Sequence, residues 1–356
     1  MANEPSQTML LTSAQAHQSL QKLYQNWLVL QSSTATIWEQ PDFNLSLLPT
    51  LPEDQGVLRQ HVADYRADVS KQILDVYQTF ITLGSLFEHY GQNLVGLARK
   101  LDNGDAASLK PFDDILSALE RDATSPNASV PSSIYNRING VKNALDLFYN
   151  EKTEDDNARF QTALKEAKYF GPIEKLKAEI TSLQEQITAA NDEIAQGATS
   201  EIPEALEFGF SMGEAVTAEL PAGIVAVNVA IKISTAAQKG SKSAQEWKER
   251  YDKLNQLTEK YVNTLIELAG DEQQMAVLET LAAQVGTFST KLTTARNHLS
   301  SLTSALSTLK DNFGELIEMD ASPSAKYFEN QISTAVEFWS KLGKDCQKYL
   351  ASARSA

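Results

Sequence analysis

Through most of this chain apolar residues recur every three or four positions, the period of an amphipathic helix. Leu20, Leu23, Trp27, Leu30 and Ile37 predict a first helix ending near Gln40-Pro41, followed by a loop from Pro41 to Asp54 that holds Pro41, Pro49 and Pro52. A second helix carries Leu58, Val62, Tyr65, Val69, Ile73, Val76, Phe80, Leu83, Phe87, Leu94, Leu97 and Leu101, and Asp102-Asn103-Gly104 closes it. A short helix from Pro111 to Arg121 and a loop from Ala123 to Ser132 come next. From Ser133 a helical pattern runs to about Gln196, with a kink expected at Gly171-Pro172. Trp247, Tyr251, Leu254, Leu257, Tyr261, Leu265 and Leu268 resume the stripe up to Gly270. Leu281, Val285, Phe288, Leu292, Ala295, Leu299, Leu302, Leu306, Leu309, Phe313 and Leu316 continue it. Ser322-Pro323 restarts a last helix with Phe328, Ile332, Val336, Trp339, Leu342 and Tyr349.

Between Leu206 and Ile233 the period changes to two. Leu206, Phe208, Phe210 and Met212 alternate with Glu207, Gly209, Ser211 and Gly213. After the turn Pro221-Ala222-Gly223, Val225, Val227, Val229, Ile231 and Ile233 alternate with Ala226, Asn228, Ala230 and Lys232. Two one-faced runs about a Pro/Gly turn predict a β-hairpin. Val216, Leu220 and Ile224 add apolar residues near the turn.

A run from Ser133 to Gln196 would be roughly 95 Å long as a helix, and such helices joined by short loops pack side by side as a bundle. The expected fold is therefore all-α: an elongated bundle of long helices carrying one hydrophobic β-hairpin. A coiled-coil dimer would use the same stripes; the short loops, which let helices fold back on one another, favour the intrachain bundle.

With 46 acidic residues against 31 Lys and Arg, the 356-residue chain has a formal charge of −15 and no basic cluster. That excludes a nucleic-acid surface and electrostatic docking on anionic lipid, both of which need concentrated positive charge. The stretch from Met1 to Thr12 has neither a basic n-region nor a long apolar h-region, so no classical signal peptide is expected. No stretch reaches the length of a transmembrane helix. The one cysteine, Cys346, excludes an intrachain disulfide and reads as an ordinary thiol on the last helix.

No catalytic constellation emerges, and no metal or cofactor is implied. His17, His61, His89 and His298 have no second ligand at i+4, and His89 beside Glu88 reads as a helix-surface residue. The acidic run Glu151, Glu154, Asp155 and Asp156 reads as a solvated helix face or break, because a calcium loop needs ligands at alternate positions. Asn127-Ala128-Ser129 matches a glycosylation acceptor by chance in a chain with no leader.

The hairpin concentrates nine large apolar residues: Leu206, Phe208, Phe210, Met212, Val225, Val227, Val229, Ile231 and Ile233. Packing as a cover on the bundle would account for it, yet patches of this kind usually mark a partner or membrane surface. A lone hairpin cannot span a bilayer, since both edges leave backbone groups unpaired. Read at helical period, Glu207, Ser211 and Glu214 share one face, as do Asn228, Lys232 and Thr235, so each arm also encodes an amphipathic helix with a polar, pore-lining stripe. Burying the nine residues is worth on the order of 13–27 kcal/mol. Placing Glu207, Glu214, Glu219 and Lys232 in lipid costs about 10–14 kcal/mol, which a ring of protomers around a watery lumen relieves.

With its helical rod, its hydrophobic hairpin between long helical segments and no signal peptide, the chain resembles the cytolysin A (haemolysin E) superfamily of α-helical pore-forming toxins. Relatives include components of haemolysin BL and of the non-haemolytic enterotoxin, and the Mak, Ahl and Smh toxins. The resemblance spans nearly the whole chain and is architectural. It implies a tail bundle formed by residues 1–200 and 241–356 and a head, residues 201–240, with a β-tongue that becomes a helical hairpin in an assembled pore. It also implies movement of the N-terminal helix around Leu20 to Ile37, secretion without a classical signal peptide, and as partners a target-cell lipid membrane and a homo- or hetero-oligomer with other toxin components. Glu207, Glu214, Glu219 and Lys232 make this head more amphipathic than the most hydrophobic heads of that superfamily, which suits a pore-lining component of a multi-part toxin. The competing expectation is a non-lytic helical scaffold or adhesin whose tongue docks in a protein groove.

Overall fold

The computed structural model describes residues 5–46, 48–125, 133–167, 174–201, 208–219, 225–235, 242–266, 268, 271–318 and 327–354. Among the described residues, ten α-helices and two strands follow one another in the order α1 (Pro5–Glu39), α2 (Leu51–Asp64), α3 (Ser70–Asp102), α4 (Leu109–Thr124), α5 (Ile134–Phe148), α6 (Glu154–Ala167), α7 (Glu174–Glu201), β1 (Phe208–Glu219), β2 (Val225–Thr235), α8 (Lys242–Ile266), α9 (Asp271–Glu318) and α10 (Tyr327–Arg354). The chain is thus helical almost throughout, as the stripes predict. At 48 residues, α9 is about 72 Å long at ~1.5 Å per residue.

The loop expected to reach Asp54 ends at Thr50. Pro52 occupies the first turn of α2, where its missing N–H costs nothing, and Glu53 and Asp54 sit against the positive end of the helix dipole. Gln55 on α2 pins the loop, accepting from the Phe43 amide at 2.8 Å and donating to the Pro41 carbonyl at 3.1 Å. The expected second helix is two helices, α2 and α3, joined by a π-helical turn at Tyr65–Val69. A second π turn, Tyr149–Thr153, joins α5 to α6. There the buried Phe148 and Thr153 stand five residues apart, the step that a π turn supplies. The expected kink at Gly171-Pro172 and the restart at Ser322-Pro323 lie outside the described residues.

Helix α3 stops where Asp102-Asn103-Gly104 was expected to stop it. Gly104 adopts φ +87°, and its amide donates to the Leu101 carbonyl at 2.8 Å while the Asp105 amide reaches back to Lys100 at 3.0 Å. That Schellman arrangement satisfies terminal carbonyls, and the positive φ suits glycine.

The chain forms two compact units. The first comprises residues Met1–Leu23, Gln72–Ala144 and Arg296–Ala351. Its core is aromatic: Phe87 stacks on Trp339 with ring centroids 5.7 Å apart and on Phe313 at 6.2 Å. The Tyr77 hydroxyl donates to the Leu20 carbonyl at 2.8 Å. Helices α3 and α10 approach closely at Gly84 and Gly343, where a Cβ on Gly84 would lie 2.9 Å from the Gly343 Cα. At the start of α10, Glu329 accepts from Arg99 Nε at 2.9 Å and its amide donates to Asp102. Cys346 on α10 is fully buried, and burial pushes its thiol pKa well up, with Asp345 adding to the effect.

The second unit comprises Tyr24–Lys71, Leu145–Ala295 and Ser352–Ala356. Tyr65, wholly buried, meets Phe288 edge-on at 5.4 Å and Phe148 at 5.9 Å. Ser70, just past the first π turn, accepts from Trp27 Nε1 at 3.0 Å and from Gln31 at 2.6 Å, tying α1 to α3. The acidic run corrects one expectation. Glu151, Glu154 and Asp155 are exposed, but Asp156 is 1% exposed, with both carboxylate oxygens 2.9–3.0 Å from His61 Nδ1. Burial raises the Asp156 carboxyl pKa and the His61 hydrogen bond opposes that rise. Lys152 pairs with Asp64 and Arg159 bridges Asp54 and Asp155 around them.

Two outcomes are expected for the first unit. Gly84→Ala should cost about 1–3 kcal/mol of overpacking, because helix backbone rather than a yielding side chain stands against the new methyl; thermal unfolding followed by circular dichroism measures it, and an unchanged midpoint refutes it. Half-buried His298 has its imidazole pKa lowered by burial and by Lys22. Its contribution is therefore fully present above the ordinary value of 6.5 and is lost as pH falls below that. The thermal midpoint should drop more steeply from neutral to mildly acidic pH in the wild type than in His298→Gln.

Candidate functional site

The hairpin is where the period of the sequence changes, and its backbone carries a feature that the alternation does not announce. Strands β1 and β2 pair antiparallel, from Phe208 opposite Thr235 to Glu219 opposite Val225. Pairing runs Phe210–Ile233, Ser211–Lys232 and Met212–Ile231, then shifts and resumes at Ala215–Val229, Val216–Asn228 and Thr217–Val227. Gly213 and Glu214 together stand opposite Ala230, so one extra residue is accommodated as a β-bulge.

Directly paired residues lie on the same side of a ladder. The register therefore places positions 208, 210 and 212 on one side with 225, 227, 229, 231 and 233, across from the side that holds Ser211, Asn228 and Lys232. The bulge reverses the parity of β1 beyond Met212. Val216, expected among the membrane-inserting residues, falls on the side of Asn228, and the apolar side of β1 continues through Ala215, Thr217 and Glu219. Thr235, expected to line a pore, pairs with Phe208 on the apolar side. Glu214 sits in the bulge itself. Leu206, Glu207, Leu220, Ile224 and the turn Pro221-Ala222-Gly223 lie outside the described residues. Gly213 is the sequence signal for the bulge: an isolated glycine where a strand pattern falters marks such a site.

Leu20, Leu23, Trp27, Leu30 and Ile37 are all buried along α1. Among the described residues no helix is long and apolar enough to cross a membrane. No cluster of three or more His, Cys, Asp or Glu suited to a metal occurs among them either. His89 is exposed.

Residues 11–196, more than half of the chain, match the family model described as Bacillus haemolytic enterotoxin (HBL). No curated protein matches the chain by sequence. Among solved structures, soluble SmhA of the tripartite α-pore-forming toxin Smh from Serratia marcescens is similar with a TM-score of 0.71 and 16% identity, over 96% of this chain and 94% of that one. Soluble AhlB of the tripartite toxin AHL from Aeromonas hydrophila gives 0.71 at 14% identity, over 96% and 94%. The HblL1 toxin component of Bacillus cereus gives 0.67 at 15% identity, over 94% and 95%. At such identities the likeness establishes the fold, and the matched proteins are toxin components rather than enzymes. The sequence match carries the assignment further: the chain belongs to the Bacillus haemolytic enterotoxin (HBL) family.

Proposed function

We propose that this chain is a component of a multi-part α-pore-forming toxin and that residues 201–240 form its membrane-entering head, the remaining residues forming a helical tail. The observation that carries the reading is the hairpin: a one-sided apolar ladder set into an otherwise helical chain of a toxin family. Released to solvent, the chain reaches a target-cell membrane. There the head refolds from two strands into two helices, because two strands alone cannot satisfy their outer backbone groups in lipid. The refolded arms carry Phe208, Phe210, Met212, Val225, Val227, Val229, Ile231 and Ile233 toward lipid. Their polar stripes, Ser211 and Glu214 on one arm and Asn228, Lys232 and Thr235 on the other, line the lumen. Refolding also erases the bulge, so Val216, set apart in the ladder, joins the apolar surface of its helix. Helix α1 moves with the head. Assembly with copies of itself or with other components shares the charged stripes around water, where they no longer pay the cost of burial in hydrocarbon.

Liposome flotation of the wild type beside Val229→Glu, with entrapped dye reporting leakage, tests the proposal. A carboxylate at position 229, in the middle of the apolar series, should abolish flotation while leaving helical content unchanged. Leakage by the wild type alone would make the chain self-sufficient. Lysis retained by Val229→Glu would overturn the role given to the hairpin. A wild type that binds a protein receptor with no dependence on lipid would instead favour the scaffold reading.

A further inference from the structure

The two π turns, Tyr65–Val69 between α2 and α3 and Tyr149–Thr153 between α5 and α6, meet within the second unit. In the first, the Ser70 amide donates to the Tyr65 carbonyl; in the second, the Glu154 amide donates to Tyr149, each five residues back. Each turn thus holds one residue more than an α-helical turn. Taking up α geometry would rotate the flanking helix by about 100° and shift it by about 1.5 Å.

The contacts between the turns prevent either from changing alone. Tyr65, the first residue of one turn, packs on Phe148, the residue before the other, at 5.9 Å. Lys152, inside the second turn, pairs with Asp64, the residue before the first, and lies 5.8 Å over the Phe148 ring. Farther along, α2 and α6 are stitched twice more: His61 Nδ1 lies 2.9 Å from Asp156, and Arg159 Nη1 lies 3.5 Å from Asp54. A rotation of α2 that α6 did not match would pull all of these contacts apart.

The turns differ in how they are held. Ser70, which closes the first, accepts from two side chains of α1, Trp27 at 3.0 Å and Gln31 at 2.6 Å. The second carries an unmet group: Thr153 is fully buried, and its hydroxyl has no hydrogen-bond partner. In α-helical surroundings Thr79 and Thr124 donate to the carbonyl four residues back, at 2.7 and 2.9 Å. A buried hydroxyl without a partner is destabilising, so the π geometry of the second turn is opposed locally and held through the first.

We propose that the two turns are one switch and that α1 locks it. While Trp27 and Gln31 hold Ser70, both turns stay π. When α1 withdraws, both convert together, and α2 and α6 rotate as a single stitched pair. The withdrawal of α1 rests on the pore-forming reading above; the coupling of the turns does not.

Amide hydrogen exchange of the full chain, read by mass spectrometry in solution without lipid, tests the coupling. Gln31→Leu removes one donor to Ser70. It should speed exchange about fivefold, the worth of one neutral hydrogen bond, at residues 65–70 and equally at residues 149–154. Thr153→Val replaces the unmet hydroxyl with a methyl group and should slow exchange at both segments. The middle of α3, from Val76 to Leu83, should be unchanged in either variant. A change confined to the turn nearer the substitution would overturn the coupling. So would a change spread evenly through α3, which global unfolding would give. With liposomes that the wild type floats on, exchange at both turns should rise together; floated protein with neither turn altered would overturn the locking role of α1. Failed flotation would remove the membrane reading and leave the lipid-free comparison to decide the coupling.

Discussion

A buried stripe can be continuous along a long helix only if its residues return to the same face, and every departure from that step has to be absorbed by the backbone. This constraint organises the chain. Where buried positions fall five apart, as at Phe148 and Thr153, the backbone opens into a π turn and the stripe continues on the far side. Tyr65–Val69 does the same between α2 and α3, and brings Tyr65 edge-on to Phe288 and Ser70 within reach of Trp27. The hairpin solves the equivalent problem for a period of two: Gly213 and Glu214 share one place in the ladder, and the apolar series of β2 keeps its side. Helix and strand thus use one device, an extra residue looped out of register.

The same constraint explains what can be read without a structure. The helical stripes were legible because each lists large apolar residues at regular steps, and the end of α3 was legible because Gly104 has a local reason to be there. The π turns were not, because the residues that reveal them, Ser70 and Thr153, are polar and look like surface. Asp156 was misread for a related reason. Three of the four acidic residues in its run are exposed, and the buried fourth is hydrogen-bonded to His61, 95 positions earlier in the chain. The start of α2 was missed because three prolines suggested a loop throughout, although Pro52 is in the first helical turn, which tolerates it.

In the hairpin, the alternation read from residue order stops at Gly213, whereas β1 runs on to Glu219. The apolar pattern alone does not place the bulge, since a ladder with and without it contains the same apolar residues; Gly213 is the hint that the order of residues offers. Where no motif stands out, the signal left in the sequence is a change of period.

Cys346 has a practical consequence beyond the packing of α10. The chain has one thiol, it is buried, and its environment disfavours the thiolate that reagents attack. The folded protein is therefore silent toward thiol chemistry. A cysteine placed anywhere on its surface becomes a unique address for a dye or spin label, with no background substitution needed. Any rearrangement that uncovers α10 would announce itself as the appearance of a second reactive sulfur.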